Sequence, residues 1–205
     1  MSTAIIVMAK APVAGLAKTR LIPALGADGA ARLAHRLMTH TLDAVLGLQA
    51  DHWELCVSPD TRHPAFEQAV KNAGERLQLT LQGDGDLGER MNRAFERVLR
   101  THDKVLLIGT DAPALNTHLL RLAETALDRH PAVFVPAVDG GYVLVGLTRP
   151  VPLLFEAMTW STPQVMADTR IRARQAHLQW TELSPVHDID EPADLIQLPG
   201  DWFMG

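Results

Sequence analysis

Short apolar runs alternate along this chain with longer amphipathic stretches. Residues 4–8 are entirely apolar, which suits a strand buried on both faces of a parallel sheet. Similar runs at 53–58, 77–81, 104–109, 132–136, 142–147 and 178–183 predict further strands. Between them, apolar residues recur at helical spacing. Leu33, Leu37, Leu42, Val45 and Leu46 share roughly one face of a helix over 29–48, and Met91, Phe95, Val98 and Leu99 do so over 89–100. Residues 64–73 read as a helix with Pro64 at a tolerated first position, and Thr162-Pro163 opens another in the same way. Asn116 is a capping residue for a helix running to about 129, and 192–198 is a short helix. Residues 9–26 read as loop, 150–161 as irregular or briefly helical, and the tail from 199 as loosely held. Asp139-Gly140-Gly141 is a tight turn that makes its two flanking strands an antiparallel pair near one edge.

This alternation of strand and helix predicts an α/β fold with a largely parallel sheet. No repeat, linker or low-complexity segment interrupts it, so the chain reads as one domain over 1–205. At 205 residues it is long enough to bury a substantial core. The formal net charge of −5 argues against broad binding to nucleic acid or anionic membranes, both of which need a basic surface. It leaves room for a small anion held by a local basic loop. The single cysteine, Cys56, excludes an internal disulfide and a zinc cluster of several thiolates. Lying in an apolar run, it reads as a buried, inert thiol. No apolar run approaches the roughly 20 residues of a membrane span. Lys10 follows the first apolar run rather than preceding it, the reverse of a signal peptide, so the expected location is cytoplasmic.

Two strand ends carry carboxylates. In Gly109-Thr110-Asp111-Ala112-Pro113 an apolar strand ends on one aspartate, and the proline stops the strand. Open α/β sheets bind ligands at such carboxyl ends. In Val186-His187-Asp188-Ile189-Asp190, an extended backbone puts both aspartates on one side. Asp111 with Asp190 or Asp188 makes a candidate site for a hard divalent cation, completed by substrate phosphates. Plainer readings stand beside it: Asp190 caps the helix near Pro192, and Asp111 ties off its own turn. His187 reads as structural, because an oxygen-seeking cation does not need it.

The segment after the first strand holds Lys10, Lys18 and Arg20, with Gly15 between them. Backbone amides and basic side chains there suit a di- or triphosphate, although the segment has neither the Walker A nor the dinucleotide pattern. The plainer reading is a solvated loop. The glycine loop over 83–88 sets Gly85 and Gly88 before a helix, where an anion or a flat base can approach. Arg90 is placed to meet phosphate or to pair with Glu89 or Asp86. Asp139 can accept hydroxyl hydrogen bonds or serve only its turn. Trp160 can stack on a sugar or belong to the core.

Five blocks in this order resemble the DUF2064 group, also called the rSAM/selenodomain-associated transferase 1 family. They are residues 10–21, with Lys10, Pro12, Gly15 and Lys18-Thr19-Arg20-Leu21; Gly85-Asp86-Leu87-Gly88-Glu89-Arg90-Met91; Gly109-Thr110-Asp111-Ala112-Pro113; Asp139-Gly140-Gly141-Tyr142; and residues 188–195. The resemblance spans about 4–195. It implies a three-layer α/β/α, glycosyltransferase A-like fold with a mostly parallel mixed sheet, and kinship with 2-phospho-L-lactate and molybdenum-cofactor guanylyltransferases. It also implies a nucleotide or nucleotide-sugar ligand, a small-molecule acceptor and a Mg²⁺ or Mn²⁺ cofactor. Lys10, Gly15, Lys18, Arg20, Gly85, Gly88 and Arg90 would bind the nucleotide. Asp111 with Asp190 or Asp188 would hold the metal, and Lys18, Arg20 and Asp139 would be catalytic, the two cations stabilising developing charge on the leaving group and Asp139 facing the acceptor. Glycosyl transfer is the first expectation, with nucleotidyl transfer second and nucleotide binding without turnover third. The Gly-x-Gly-x-Arg loop common in sugar nucleotidyltransferases is missing, which weakens the second.

Overall fold

The computed structural model describes residues 1–203. Seven strands form one sheet in the order β3-β2-β1-β4-β6-β5-β7. They are β1 Thr3–Lys10, β2 His52–Ser58, β3 Leu77–Leu81, β4 Lys104–Ile108, β5 Ala132–Pro136, β6 Tyr142–Leu147 and β7 Trp180–Glu182. Only β6 runs against its neighbours, so the sheet is mixed but mostly parallel. The antiparallel pair β5–β6 lies one strand in from the β7 edge.

Alternation along the strands sorts side chains onto two faces. Ile5, Val7, Leu106 and Ile108 pack against α1 (Ile22–Leu46), α2 (Pro64–Ala73) and α4 (Thr117–Ala126). Ala4, Ile6, Val105 and Leu107 pack on the opposite face against α3 (Leu87–Val98) and α5 (Val165–Gln175). The fold is therefore a three-layer α/β/α sandwich. Each fully buried Ile, Leu or Val contributes about 1.5–3 kcal/mol of apolar burial.

Several predicted boundaries move. Helix α1 starts at Ile22, inside the stretch expected to be loop, because Pro23 fits a first helical turn and Gly26 (φ 70°, ψ 168°) kinks the helix and breaks its pattern. Helix α3 starts at Leu87, because Asp86 and Glu89 form a capping box. Helix α5 opens at Val165 rather than at Thr162-Pro163. The last strand shrinks to Trp180–Glu182, since the Leu178 amide is taken by the Ala173 carbonyl at 2.9 Å to close α5. The tail is held more firmly than expected. Gly200–Phe203 is a 3-10 turn, and the Trp202 ring meets His40 edge-on at 5.4 Å with the Arg36 guanidinium 4.9 Å above it. The remainder of that tail, 204–205, lies outside the described residues. No helix among the described residues is long and apolar enough to cross a membrane.

A third apolar cluster matters most for function. Leu21, Leu33 and Leu37 from the start of α1 and the turn before it enclose Ile189, which is fully buried. This cluster fastens the last segment of the chain across the end of the sheet.

Candidate active site

After β1 the chain steps to β2 on one side, while β4 pairs with β1 on the other. The reversal leaves a crevice beyond the carboxyl ends of β1 and β4, where open α/β sheets bind ligands. A cleft of about 630 Å³ lies there. It brings together Lys10, Lys18, Arg20, Arg90, Asp111, Asp139, Asp188 and Asp190 from the predicted set. Gly15, Gly85 and Gly88 do not line it.

The first loop is folded onto itself. The Val13 carbonyl accepts from the amides of Leu16 and Ala17, and Gly15 turns with φ 80°. Lys10 Nζ donates to the Leu16 carbonyl at 2.9 Å, which holds an exposed ammonium over the loop. Lys18 adopts a left-handed backbone (φ 47°, ψ 47°), unusual for a residue with a side chain, just before the 3-10 turn Thr19–Leu21. Its Nζ lies 2.6 Å from Asp111 Oδ1, 2.7 Å from Asp190 Oδ1 and 2.6 Å from the Ile189 carbonyl. Burial alone would pull the Lys18 pKa down, but Asp111 and Asp190 outweigh it and hold it above the ordinary lysine value. Arg20 is exposed at the rim.

The last segment supplies the aspartates by alternation. Val186 pairs with Ala137 beyond the end of β5, and the Ile189 amide donates to the Asp111 carbonyl at 2.8 Å. With Ile189 locked into the core, Asp188 and Asp190 both face the cleft, while His187 is exposed outside it. Asp190 is not the helix cap. Glu191 and Asp194 form that capping box, and Asp194 Oδ2 also accepts from the Asp190 amide at 3.0 Å. Among the described residues, no cationic side chain pairs with Asp188. Burial first, and then the charges of Asp139, Asp190 and Asp111, push its carboxyl up to about 6. Among the described residues, no three His, Cys, Asp or Glu side chains converge on a single metal position.

The other walls are set by close approach. The Asp139 Oδ1 accepts from the Gly141 amide at 2.8 Å, which fixes this exposed carboxylate at the cleft mouth. A Cβ on Gly140 (φ 99°) would fall 2.1 Å from the Pro163 carbonyl oxygen, so only glycine fits there. Gly85 and Gly88, expected to meet the nucleotide, lie outside the cleft lining and are closely packed. A Cβ at Gly85 would meet the Glu89 carboxylate at 2.2 Å, and one at Gly88 would meet the Phe155 carbonyl oxygen at 2.4 Å and the Trp160 ring at 2.9 Å. Gly88 thus seats Trp160 in the cleft wall, edge-on to Tyr142 at 6.4 Å between ring centroids. Arg90 pairs with neither acidic neighbour; its Nε donates to the Gly85 carbonyl at 2.9 Å.

Sequence reasoning missed Gln82, Ser58 and Thr110, which also line the cleft. Gln82 is buried, with its amide nitrogen donating to the carbonyls of Ala9 (3.2 Å) and Cys56 (3.0 Å). Its signal was a polar residue ending the β3 run just before the glycine loop.

The family model described as "uncharacterized protein conserved in bacteria (DUF2064)" matches residues 41–162. No protein of curated function matches the chain. A solved structure of a "putative nucleotide-diphospho-sugar transferase" from Desulfovibrio desulfuricans G20 is similar over 93% of this chain and 84% of its own, with 31% identity and a TM-score of 0.84. The CMP:2-keto-3-deoxy-manno-octonic acid synthetase complexed with CTP is 13% identical over 96% of both chains, with a TM-score of 0.58. Rv0371c of Mycobacterium tuberculosis H37Rv, in complex with manganese, is 15% identical over 97% of this chain and 98% of its own, with a TM-score of 0.58. The last two likenesses concern the fold.

Proposed function

The chain belongs to the DUF2064 family, and from that premise we propose that it works as one domain, a metal-dependent transferase acting on a nucleotide-activated sugar. The observation that carries this reading is the cleft itself. Four carboxylates, Asp111, Asp139, Asp188 and Asp190, face four basic side chains, Lys10, Lys18, Arg20 and Arg90. Carboxylate and phosphate oxygens around one cation are what Mg²⁺ and Mn²⁺ prefer. The donor set fits: it is all oxygen, and among the described residues Asp188 is faced by the carboxylates of Asp139, Asp190 and Asp111, whose mutual repulsion a divalent cation would relieve. Asp111 with Asp190, or with Asp188, would hold the cation. When bound, it would neutralise charge on the leaving diphosphate.

The chain's own groups do the rest. Lys10, Lys18 and Arg20 bind the diphosphate, and Arg90 reaches it from the opposite wall. Asp139 accepts the hydrogen bond of an acceptor hydroxyl and takes its proton as the new bond forms at the anomeric carbon. The bond from that carbon to the diphosphate oxygen breaks, and its electron pair leaves with the nucleoside diphosphate. Trp160 and Tyr142 form the apolar wall against which a sugar ring rests.

A second reading is nucleotidyl transfer. A substrate phosphate attacks the α-phosphate of a nucleoside triphosphate, and the bond to pyrophosphate breaks. Four basic side chains in one cleft are enough for a triphosphate, which favours keeping it. A third is nucleotide binding without turnover. Thermal shift against nucleotides and nucleotide-sugars, with and without Mn²⁺, separates the three, because a ligand of the folded state raises stability by mass action. Mn²⁺-dependent stabilisation by a UDP- or GDP-sugar, with sugar release or transfer, supports the first. Stabilisation by a triphosphate with pyrophosphate release supports the second, and stabilisation without product the third. No metal-dependent nucleotide effect removes both enzymatic readings.

A further inference from the structure

One ammonium joins three parts of the chain in the cleft. Lys18 Nζ has oxygen neighbours at 2.6, 2.7 and 2.6 Å, from Asp111, Asp190 and the Ile189 carbonyl. An ammonium has three donors, so this set satisfies it completely. The lysine side chain is only 9% exposed, whereas Asp111 and Asp190 are 48% and 41% exposed. The ammonium therefore sits behind the two carboxylates, which present their outer sides to the cleft.

Asp111 and Asp190 are one of the two carboxylate pairs assigned above to the cation, and the present inference rests on that reading with Asp190 as the second ligand. A Mg²⁺ ion holds its oxygen ligands at about 2.1 Å and tolerates little distortion. An ammonium and a divalent ion drawing on the same oxygens repel one another at close range. If Lys18 kept both contacts, the cation would bind weakly. If it gave them up without replacement, a buried charge would be left unpaired, which is costly. Phosphate oxygens arriving with the cation remove the conflict, since they are acceptors of the same kind. Lys18 is also held in the sparsely populated left-handed backbone region, the type of strain that marks a residue able to switch partners.

We propose that Lys18 is the resident counter-ion of the resting site, and that divalent cation and phosphate ligand bind as a coupled pair, Lys18 passing from Asp111 and Asp190 to the phosphate oxygens. By linkage, each partner strengthens the binding of the other by the same factor. Lys18 thereby acts as a positioning residue before it acts on a leaving group.

The test is Mn²⁺ binding, read from the spectrum of free Mn²⁺ by electron paramagnetic resonance, with inorganic pyrophosphate as the phosphate probe. Wild-type protein should bind Mn²⁺ at least about tenfold more tightly with pyrophosphate than without it. Lys18→Met should bind Mn²⁺ alone at least about tenfold more tightly than wild type, with the coupling lost. Lys18→Arg, which keeps the charge, should keep weak binding of Mn²⁺ alone and gives a second variant should the methionine form not fold. Equal Mn²⁺ affinity in wild type with and without pyrophosphate overturns the proposal, as does Lys18→Met binding Mn²⁺ alone no better than wild type. The Asp111→Asn variant keeps the two readings apart. If wild type binds Mn²⁺ without coupling and Asp111→Asn abolishes that binding, the metal site stands and only the counter-ion role fails. If Asp111→Asn leaves Mn²⁺ binding unchanged, the metal assignment itself is wrong.

Discussion

Lys18 and Asp190 meet at 2.7 Å across the cleft although 172 positions separate them. Asp190→Asn removes one of two carboxylates facing a nearly buried ammonium. Asp111 remains, and Asp190 is partly exposed, so the expected cost is about 1–2 kcal/mol of unfolding free energy. Urea denaturation measures it, and a change under about 0.5 kcal/mol, the usual size of a neutral surface substitution, would show that the pair holds nothing.

Asp111→Asn should abolish Mn²⁺-dependent stabilisation by nucleotides while leaving the fold intact, because its Lys18 contact is shared with Asp190. Melting temperatures with and without Mn²⁺ and nucleotide check this. Turnover that survives the substitution would move the metal site elsewhere.

Ile189 is fully buried, and its neighbours on both sides face the cleft. Ile189→Ala should cost about 2–4 kcal/mol through the cavity it leaves. It should also lower the affinity for Mn²⁺ with pyrophosphate, since Asp188 and Asp190 lose their anchor. A stability loss with undiminished affinity would separate the anchor from the site.

Glu54, buried in β2, is held by Arg97 through two contacts of 2.8 and 2.5 Å, by Thr80 at 2.6 Å and by His52 at 3.5 Å. Burial pushes its carboxyl up, but hydrogen bonds from His52, Arg97 and Thr80 outweigh this and lower its pKa to about 2. Its folded pKa is thus below its unfolded one. The stability it contributes is fully present above about pH 4.5 and is lost as pH falls toward 2. Arg97→Met should therefore destabilise by about 2–4 kcal/mol at neutral pH, with the difference from wild type shrinking across that acid range. A pH-independent difference between the two unfolding curves would rule this account out.

Gly88→Ala places a methyl against the Phe155 carbonyl and the Trp160 ring. Overpacking of this kind costs about 1–3 kcal/mol. Trp160 should move outward, shifting tryptophan emission to the red; an unchanged spectrum and melting point would contradict the packing role.

Much of this molecule can be read from its pattern. Pro64–Ala73, Leu77–Leu81, Ala132–Pro136 and Tyr142–Leu147 fall where periodicity puts them, because each has a clear apolar pattern, helical, alternating or continuous, bounded by turn residues. Asp188 and Asp190 share a face, as alternation requires. The start of α1 escapes because Gly26 interrupts the helical spacing with an unusual φ. The contacts of Lys18 escape for another reason. A basic loop next to a strand signals an anion, and nothing local says that two aspartates already meet it. Glu54 had a visible signal, a charge inside an apolar strand, but its partner Arg97 lies 43 positions away. Gly85 and Gly88 show a further limit: glycines before a helix suggest ligand approach, and nothing local says that Glu89, the Phe155 carbonyl and Trp160 crowd them.

The Ile189 carbonyl that receives Lys18 is 171 positions downstream of it. A chain growing from its N-terminus carries the basic loop long before the segment over 186–190, so Lys18 gains all three of its buried contacts only once that segment is made. The cleft becomes competent only when the last strand-like segment closes over β4 and the start of α1. If the cleft takes the nucleotide proposed above, binding would report that this segment has closed, and a chain released before Asp188 would lack two of the four carboxylates that line the cleft.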